Sequence, residues 1–186
     1  MKNEIERMIN QSKNKLHTAL KVVITGNLID FVGSHTFDEK ILKERLFKPD
    51  KEKLAIDDSS DLIKSISKVK SLLYIGDNCG EILLDKIFIS SLKKIYPDLK
   101  VFVGVRGEPI INDVTIKDAE MIKMEDVAEV ISNGDGSPGI ILNQVNHNFR
   151  EVFTQADVII AKRQGNFGSL IEIENIKYIF YVYGEM

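Results

Sequence analysis

Residues 71–81 read SLLYIGDNCGE, and this stretch decides the fold. The first six residues form a short apolar run that is typical of a buried strand, and residues 82–96 carry the spacing of an amphipathic helix. An acid, an amide and a glycine therefore lie where a strand passes into a helix. Ligands bind at this carboxyl edge of the strands in open α/β sheets. These residue types favour binding of a hard cation and a phosphate over a place in the hydrophobic core.

Similar apolar runs recur further along the chain. Residues 100–105 and 156–161 are rich in Val, Ile and Leu, and residues 176–183 have the composition of a further strand. Residues 149–155 are predicted as a short helix, and the polar, glycine-containing residues 132–138 as a surface loop. Short runs that alternate with a helix of crossover length indicate parallel strands. The sequence thus predicts an α/β fold with a mainly parallel sheet.

The first part of the chain has a different pattern. Apolar residues recur at intervals of mostly three, four or seven over residues 3–33, and residues 37–47 and 56–69 carry further helical patterns. No strand alternation precedes the first apolar run. We therefore predict an N-terminal helical segment at residues 1–69 that packs on an α/β domain at residues 70–186, the two forming one structural unit.

Length, charge and cysteine content limit the possible functions. The chain has 186 residues and a formal net charge of −3, so bulk electrostatics gives no support for nucleic-acid binding. Cys79 is the single cysteine, which excludes an intrachain disulfide and fits a reducing cytosol. The charged N-terminus lacks the apolar centre of a signal peptide, and no run approaches the roughly 20 apolar residues that span a bilayer. We expect a cytoplasmic protein without nucleic-acid or membrane partners, for which oligomerisation stays open.

Three polar clusters follow predicted strands. Asp77 and Asn78 follow the first, residues 106–115 (RGEPIINDVT) follow the second, and residues 162–166 (KRQGN) follow the third. In a parallel sheet all three clusters emerge along the same edge. The sequence therefore predicts that side chains far apart in the chain meet there.

These side chains suit the chemistry of phosphoryl transfer. Asp77, Asn78 and Asp113 offer two carboxylates and an amide oxygen, a ligand set that suits Mg²⁺ or Mn²⁺. Lys162 offers a point charge for a phosphoryl oxygen. Gly165, like the glycine of the DNCG segment, lets backbone N–H groups approach an anion at a helix start. A metal, a lysine and a helix N-terminus around one point would form a phosphoryl-transfer site.

Structural interpretations compete with this one. Asp77 and Asn78 would serve as N-caps of the following helix, and the Asn112–Asp113 pair as a turn. Lys162 would be a solvated lysine, and Gly165 with Asn166 would form another turn. Capping does not explain the joint placement of all three clusters after strands, which favours the functional interpretation.

A further polar pair lies within the first helical pattern. Asn27 and Asp30 are three positions apart in the otherwise apolar segment that begins at Gly26. The pair marks either a capped helix end or a wall of the same cleft, and both interpretations stay open.

The motifs resemble those of the metal-dependent damage-control phosphatases with an ARMT-like domain, long called domain of unknown function 89. The matching segments are DNCGE at 77–81, RGEPIINDVT at 106–115, GSPG at 136–139, ADVIIAKRQGN at 156–166 and GNLIDF at 26–31. The similarity covers about residues 20–170, with the motifs in the family's order.

The resemblance implies a Rossmann-like three-layer α/β/α domain with a mainly parallel sheet. It implies a metal held by Asp77, Asn78 and Asp113, a phosphate contact at Lys162, and hydrolysis of phosphomonoesters such as sugar phosphates or damaged phosphometabolites. The cofactor would be Mn²⁺, Co²⁺, Ni²⁺ or Mg²⁺. The positions that we expect to contact the substrate are Gly26, Asn27, Asp30, Glu81, Arg106, Asn112, Thr115, Gly165 and Asn166.

The chain also departs from the family pattern. Arg163 replaces a glycine, and Gly168 stands where an acid is common. Family members usually extend further at both ends. These departures support an alternative in which the protein binds a metal or phosphometabolite without turnover.

The leading hypothesis is a metal-dependent phosphatase, in which Asp77 is either a ligand alone or also the nucleophile. A nucleotide-binding or methyl-donor-binding fold is a weaker third interpretation, because residues 76–80 lack the glycine spacing of a dinucleotide loop.

Overall fold

The computed structural model describes residues 1–27, 39–49, 56–174 and 176–179. The helices are α1 (Lys2–Gln11), α2 (Lys15–Gly26), α3 (Glu39–Phe47), α4 (Ser59–Ile66), α5 (Ile82–Ile95), α6 (Ile116–Met121), α7 (His147–Gln155) and α8 (Arg163–Leu170), with a 3₁₀ turn at Met124–Asp126. The strands are β1 (Ser71–Ile75), β2 (Lys100–Val105), β3 (Glu129–Ser132), β4 (Val158–Lys162) and β5 (Ile176–Ile179).

The described strands form one parallel sheet in the order β3-β2-β1-β4-β5. The chain builds outward from β1 to β2 and β3, and then returns to the other side of β1 for β4 and β5. The order therefore reverses between β1 and β4, which pair with Ile75 opposite Ala161. Such a reversal opens a crevice at the carboxyl ends of the two strands. The prediction of an α/β fold with a mainly parallel sheet is confirmed.

Helices cover both faces of the sheet, because alternate side chains of each strand point to opposite faces. Leu72 and Tyr74 of β1 join a hydrophobic cluster that includes Phe88 of α5. Leu73 and Ile75 join a second cluster, which includes Phe149 of α7. The three-layer arrangement that the resemblance implied is therefore present.

The N-terminal helices pack against the first of these clusters. Ile5 of α1, Val22 of α2, Leu46 of α3 and Ile66 of α4 are each at most 1% exposed and belong to the same cluster as Phe88. Packing against a central apolar helix explains why these short amphipathic helices form. The boundary at residue 69 between two parts of the chain stays a prediction.

The single helical pattern over residues 3–33 is wrong in its continuity. The chain breaks between α1 and α2, where Ser12 has an extended backbone with ψ 145° and Asn14 is the N-cap of α2. The Ser12 hydroxyl accepts a hydrogen bond from the Asn14 backbone N–H at 3.2 Å. Ser and Asn side chains compete with the helix for backbone hydrogen bonds, which explains the break. Residues 28–33 lie outside the described residues.

The other predicted elements are close to those observed, with ends that differ by a few residues. Residues 37–38 of the predicted second helix and residues 180–183 of the predicted last strand lie outside the described residues. The turn expected around Gly165 and Asn166 is wrong, because both residues lie within α8, which begins directly after β4. In the described ranges, no helix is both long enough and apolar enough to cross a bilayer.

Candidate active site

The carboxyl ends of β1 and β4 bring two of the polar clusters together. Asp77 and Asn78 follow β1, and Lys162 is the last residue of the neighbouring strand β4. All three side chains are buried, with exposed fractions of 7%, 2% and 0%. They therefore lie at the point where the strand order reverses, which is the usual position of a ligand site in such sheets.

The segment after β2 brings the remaining polar cluster, residues 106–115, to the same place. Asn78 and Asp113 form an isolated antiparallel bridge. The Cys79 backbone N–H donates to the Asn112 carbonyl at 2.9 Å, and the Val114 N–H donates to the Asp77 carbonyl at 2.6 Å. These bonds fix Asp113 beside Asn78. The structure thus brings the three polar clusters together at one edge of the sheet, as predicted.

Arg106 holds this segment in place through two hydrogen bonds. Its Nε donates to Asp113 Oδ2 at 2.6 Å, and its Nη1 donates to the carbonyl oxygen of Gly139. The Gly139 segment in turn contacts α8, since the Ile140 N–H donates to the Ser169 hydroxyl at 3.0 Å. Arg106 is 4% exposed, so its charge is directed to Asp113 rather than to solvent.

Lys162 lies in a fully buried ionic cluster. Its ammonium donates to Glu81 Oε2 and to Asp85 Oδ1, the latter at 3.0 Å, and the Tyr74 hydroxyl donates to the same Asp85 oxygen at 2.7 Å. The pKa of Asp85 is raised, mainly by burial. The charge of Lys162 lowers this pKa in part, and the charge of Glu81 raises it further. Burial alone would lower the pKa of Lys162, but the Asp85 and Glu81 carboxylates outweigh burial and raise it. Lys162 therefore stays protonated.

Asn78 connects this cluster to the predicted metal ligands. Its Nδ2 donates to Glu81 Oε1 at 3.2 Å. Its Oδ1 is buried and has no hydrogen-bond partner among the described residues. Buried polar atoms nearly always have a partner, so this amide oxygen is a candidate ligand atom.

The charges and donor atoms of the site fit a divalent cation. Among the described residues here, the acids Asp77, Glu81, Asp85 and Asp113 outnumber the bases Arg106 and Lys162 by two. A divalent cation would offset that excess, and oxygen donors are what Mg²⁺ and Mn²⁺ prefer. No group of three His, Cys, Asp or Glu side chains in the described part of the chain is arranged to hold a metal. The candidate ligand set accordingly depends on the Asn78 amide together with two carboxylates.

The interpretation of Asp77 or Asn78 as a simple helix cap is wrong. The N-cap position of α5 is Glu81, and no side chain caps it. The Asn112–Asp113 pair does lie in a turn, closed by the Asp113 N–H on the Ile110 carbonyl at 2.9 Å. That turn carries Asp113 to Asn78, so the two interpretations of this pair are compatible.

Asn27 lies at the C-terminal end of α2, close to α5. A Cβ atom on Gly26 would lie 2.6 Å from Leu84 Cδ1, so this glycine lets α2 approach the first turn of α5. Asn27 is 2% exposed, and neither its amide nitrogen nor its amide oxygen has a partner among the described residues. A buried amide without partners is a candidate ligand contact. Asp30, predicted with it, lies outside the described residues.

The remaining predicted contacts have different surroundings. Thr115 forms a capping box with Asp118 at the start of α6, with its hydroxyl 2.6 Å from Asp118 Oδ2. Asn166 Nδ2 donates to the Lys162 carbonyl at 2.8 Å, while its Oδ1 has no partner in the described ranges. Gly165 is the third residue of α8, where backbone N–H groups lack intrahelical acceptors. Thr115 thus has a structural role that its position in the motif did not reveal.

Sequence reasoning missed Asp85 and Tyr74. Tyr74 lies in an apolar run predicted as a strand, and Asp85 in a segment predicted as an amphipathic helix. The spacing offered a signal, because Glu81 and Asp85 are four positions apart and so share one face at the start of α5. That face is otherwise apolar, and an acid there calls for a buried partner.

Comparison with known proteins identifies similar chains. The family model described as the damage-control phosphatase ARMT1-like domain matches residues 1–182. A protein of Pyrococcus horikoshii named damage-control phosphatase is 41% identical over 162 residues, 87% of this chain and 55% of that protein. A protein of Archaeoglobus fulgidus with the same name is 34% identical over 167 residues, 89% of this chain and 57% of that one.

A solved structure has the same fold. The crystal structure of a DUF89 family protein from Pyrococcus horikoshii superposes with a TM-score of 0.82 at 37% identity. The match covers 96% of this chain and 64% of that chain. The chain spans about half the length of the curated relatives that it matches.

Proposed function

The chain belongs to the family of proteins with the damage-control phosphatase ARMT1-like domain, and from that premise we propose that it is a divalent-metal-dependent phosphatase. Its substrates would be phosphomonoesters of small metabolites, such as sugar phosphates or damaged phosphometabolites. The observation that carries the proposal is the convergence of Asn78 and Asp113 in one bridge at the reversal of strand order, next to Asp77. We also propose that the protein is cytoplasmic and that its partner is a small phosphorylated metabolite.

The metal ligands in this proposal are Asp77, Asn78 and Asp113. The orphaned Asn78 Oδ1 and the excess of carboxylates support them. A bound Mn²⁺, Co²⁺, Ni²⁺ or Mg²⁺ would act as a Lewis acid that polarises the phosphoryl group. Arg106 orients the Asp113 carboxylate, so that one oxygen is fixed by the guanidinium and the other is left for a ligand.

Lys162 and Asp77 are the catalytic residues of the proposal. An ammonium has three N–H donors, of which Glu81 and Asp85 take two. No described residue takes the third, which would donate to a phosphoryl oxygen, and the raised pKa of Lys162 keeps the ammonium charged for that contact. The first backbone N–H groups of α8, including that of Gly165, would add further donors to the anion.

The substrate beyond the phosphate would meet the amides at the rim. Asn27 and Asn166 each keep an amide oxygen without a described partner, and such atoms suit the hydroxyl groups of a sugar. Gly26, Asp30, Asn112 and Thr115 complete the predicted contacts and stay part of the proposal.

A binding protein without turnover is a second candidate. The full burial of Lys162, with two carboxylates on its ammonium, favours it. In that case the site would hold a metal or a phosphometabolite, and no phosphoester would be cleaved.

A metal-by-substrate screen tests the two candidates. Hydrolysis of small sugar phosphates would be measured with Mn²⁺, Co²⁺, Ni²⁺ and Mg²⁺ for the wild type, Asp77→Ala and Asp98→Ala. Asp98 is exposed and lies between α5 and β2, at the opposite edge of the sheet, so the same substitution there should leave the rate unchanged. Metal-dependent turnover that Asp77→Ala abolishes supports the phosphatase. Equal rates in wild type and Asp77→Ala refute the assignment, and metal binding without turnover supports the second candidate.

A further inference from the structure

A hydrogen-bonded chain connects the interior of the protein to the amide of Asn78. It begins at the Tyr74 hydroxyl, which donates to Asp85 at 2.7 Å, and continues from Asp85 to the Lys162 ammonium at 3.0 Å. Lys162 also donates to Glu81, and Glu81 accepts the Asn78 amide at 3.2 Å. Every member of this chain is at most 2% exposed.

Stability alone gives little reason for such a chain. Removing two carboxylates and an ammonium from water is expensive, and apolar side chains of similar size often replace buried ion pairs without loss. Among the described residues, Lys162 pairs with both the Glu81 and the Asp85 carboxylates. Tyr74 supplies an uncharged donor to the second carboxylate, which allows that carboxylate to remain within the core.

This hydrogen-bonded chain of side chains determines which end of the Asn78 amide faces Glu81. Glu81 accepts hydrogen bonds from both Lys162 and Asn78, so the end of the Asn78 amide that meets Glu81 is the NH₂ group. The amide is planar, so its oxygen then points away from Glu81, and it has no partner among the described residues. Glu81 is held in turn by Lys162, and Lys162 by Asp85.

We propose that Tyr74 and Asp85 are positioning residues that hold Lys162 and Glu81 so that Asn78 presents its Oδ1 to a divalent cation. The inference rests on the proposed function only in taking Asn78 as a metal ligand. Neither Tyr74 nor Asp85 touches the cation in this account. Groups behind the ligands of a metal commonly set the orientation and affinity of those ligands, with effects of about 10- to 100-fold.

Calorimetric titration of the EDTA-treated protein with Mn²⁺ tests this inference without any turnover. Tyr74→Phe deletes one oxygen atom and keeps the ring in its place. We expect it to weaken Mn²⁺ binding on the order of threefold, the effect of part of one hydrogen bond. Asp85→Asn loses the charge that holds Lys162, and we expect a loss of about tenfold.

Tyr178→Phe is the matched control. The Tyr178 hydroxyl donates to the Leu170 carbonyl at 2.8 Å, and the residue packs against the hydrophobic cluster on the opposite face of the sheet from Tyr74. The same atom is deleted and one hydrogen bond is lost, so the melting temperature should fall while the Mn²⁺ affinity stays at the wild-type value.

The outcomes separate this inference from the proposed phosphatase. The inference is overturned if Tyr74→Phe melts at a lower temperature than the wild type yet binds Mn²⁺ as tightly. It is also overturned if the wild type binds none of Mn²⁺, Co²⁺, Ni²⁺ and Mg²⁺. A wild type that binds Mn²⁺ but cleaves no phosphoester refutes the phosphatase, while the comparison of affinities still decides the inference. If Asp85→Asn fails to fold, Tyr74→Phe against Tyr178→Phe decides it alone.

Discussion

Arg106 Nε donates to Asp113 Oδ2 at 2.6 Å, and the guanidinium also donates to the carbonyl oxygen of Gly139. Arg106 is 4% exposed and the Asp113 side chain is 15% exposed, so the pair is largely shielded from solvent. The guanidinium thus joins the end of β2, the turn that carries Asp113 and the segment that reaches α8. A metal bound to Asp113 and the guanidinium of Arg106 would contact the same carboxylate from two sides.

Arg106→Gln should therefore destabilise the metal-free protein by about 2 kcal/mol, the size of a hydrogen bond to a charged group. Urea unfolding in EDTA measures the loss, and added Mn²⁺ should recover part of it by offsetting the charge of Asp113. Arg150→Gln is the control, because Arg150 is exposed and donates to one carbonyl at 3.2 Å, so its loss should stay within about 0.5 kcal/mol. Equal losses for the two variants would contradict the role of Arg106.

Metal binding should appear directly in the thermal stability. A ligand at about 100 times its Kd stabilises the folded state by about 2.7 kcal/mol. For a chain of this size that corresponds to a rise in Tm of about 5–10 °C. Scanning calorimetry with Mn²⁺ should show the rise in the wild type and in Asp98→Ala, and EDTA should remove it. A similar rise in Asp77→Ala would exclude Asp77 as a ligand.

The turn at Ile111 makes a separate prediction about strain. Ile111 has φ 47° and is 95% exposed, in the turn closed by the Asp113 N–H on the Ile110 carbonyl. A left-handed conformation costs an L-residue about 1–2 kcal/mol, whereas glycine adopts it freely. Ile111→Gly should melt at an equal or higher temperature than the wild type, and higher than Ile111→Ala, which keeps the Cβ atom. A Gly variant less stable than the Ala variant would show that the turn is unstrained.

The sequence predicted the elements whose residue pattern has a single structural explanation. The apolar runs of β1, β2 and β4 are short and lack the spacing of a surface helix, and the polar side chains that follow them share one edge of the parallel sheet. The family suggested by the motifs is confirmed by the match over residues 1–182. Those parts follow from local pattern and from the rules of parallel sheets.

The sequence did not predict features that depend on contacts between distant residues. Asp85 is an unremarkable helical acid until Lys162 and Tyr74 are placed against it from two neighbouring strands. The helix α8 was missed because glycine and asparagine favour turns, and its position directly after β4 outweighed that preference. Asp157 belongs to one of the matching motifs, and its place there did not reveal the structural contact that it makes.

Asp157 joins the starts of two neighbouring strands, and it predicts a dependence on pH. Its Oδ2 accepts hydrogen bonds from the Ser71 hydroxyl and from the backbone N–H groups of Ser71 and Lys70 at 2.8–3.0 Å. The Ser71 side chain first, and then the two backbone groups, lower the pKa of Asp157 below its ordinary value of 3.8. A lowered pKa in the folded state stabilises the protein above pH 3.8 and ceases to do so as the pH falls through the lowered value.

Asp157→Asn should accordingly melt lower than the wild type at pH 7, with a difference that shrinks as the pH falls below about 4. Melting temperatures of both proteins from pH 7 to pH 3 give the comparison. A difference that stays constant over this range would mean that the charge of Asp157 is irrelevant and that only its shape matters.

Replacing Lys162 with Met should have a larger effect than Asp157→Asn, and its deficit should also shrink as the pH falls. Removing one partner of a buried ion pair costs about 3–5 kcal/mol, because the remaining charge is left without compensation. Burial already raises the pKa of Asp85, and Lys162 is the group that lowers it. Without Lys162, ionised Asp85 is disfavoured in the folded state at neutral pH, and this penalty is relieved as the pH falls and Asp85 takes up a proton. The pKa of Lys162 is raised in the wild type, so its own contribution is lost only in strongly alkaline solution.

Urea unfolding at pH 5 and pH 8 should therefore show a smaller deficit for Lys162→Met at pH 5. Lys86→Met is the matched control on α5, since Lys86 is also buried but pairs with Asp126, whose side chain is 58% exposed. Water stabilises the charge of Asp126 when Lys86 is removed, so that deficit should be the same at both pH values. The double variant Lys162→Met/Asp85→Asn should recover part of the lost stability because it leaves one buried carboxylate fewer. A Lys162→Met deficit that does not change between pH 5 and pH 8, together with no recovery in the double variant, would show that Asp85 is not held in the core by the charge of Lys162.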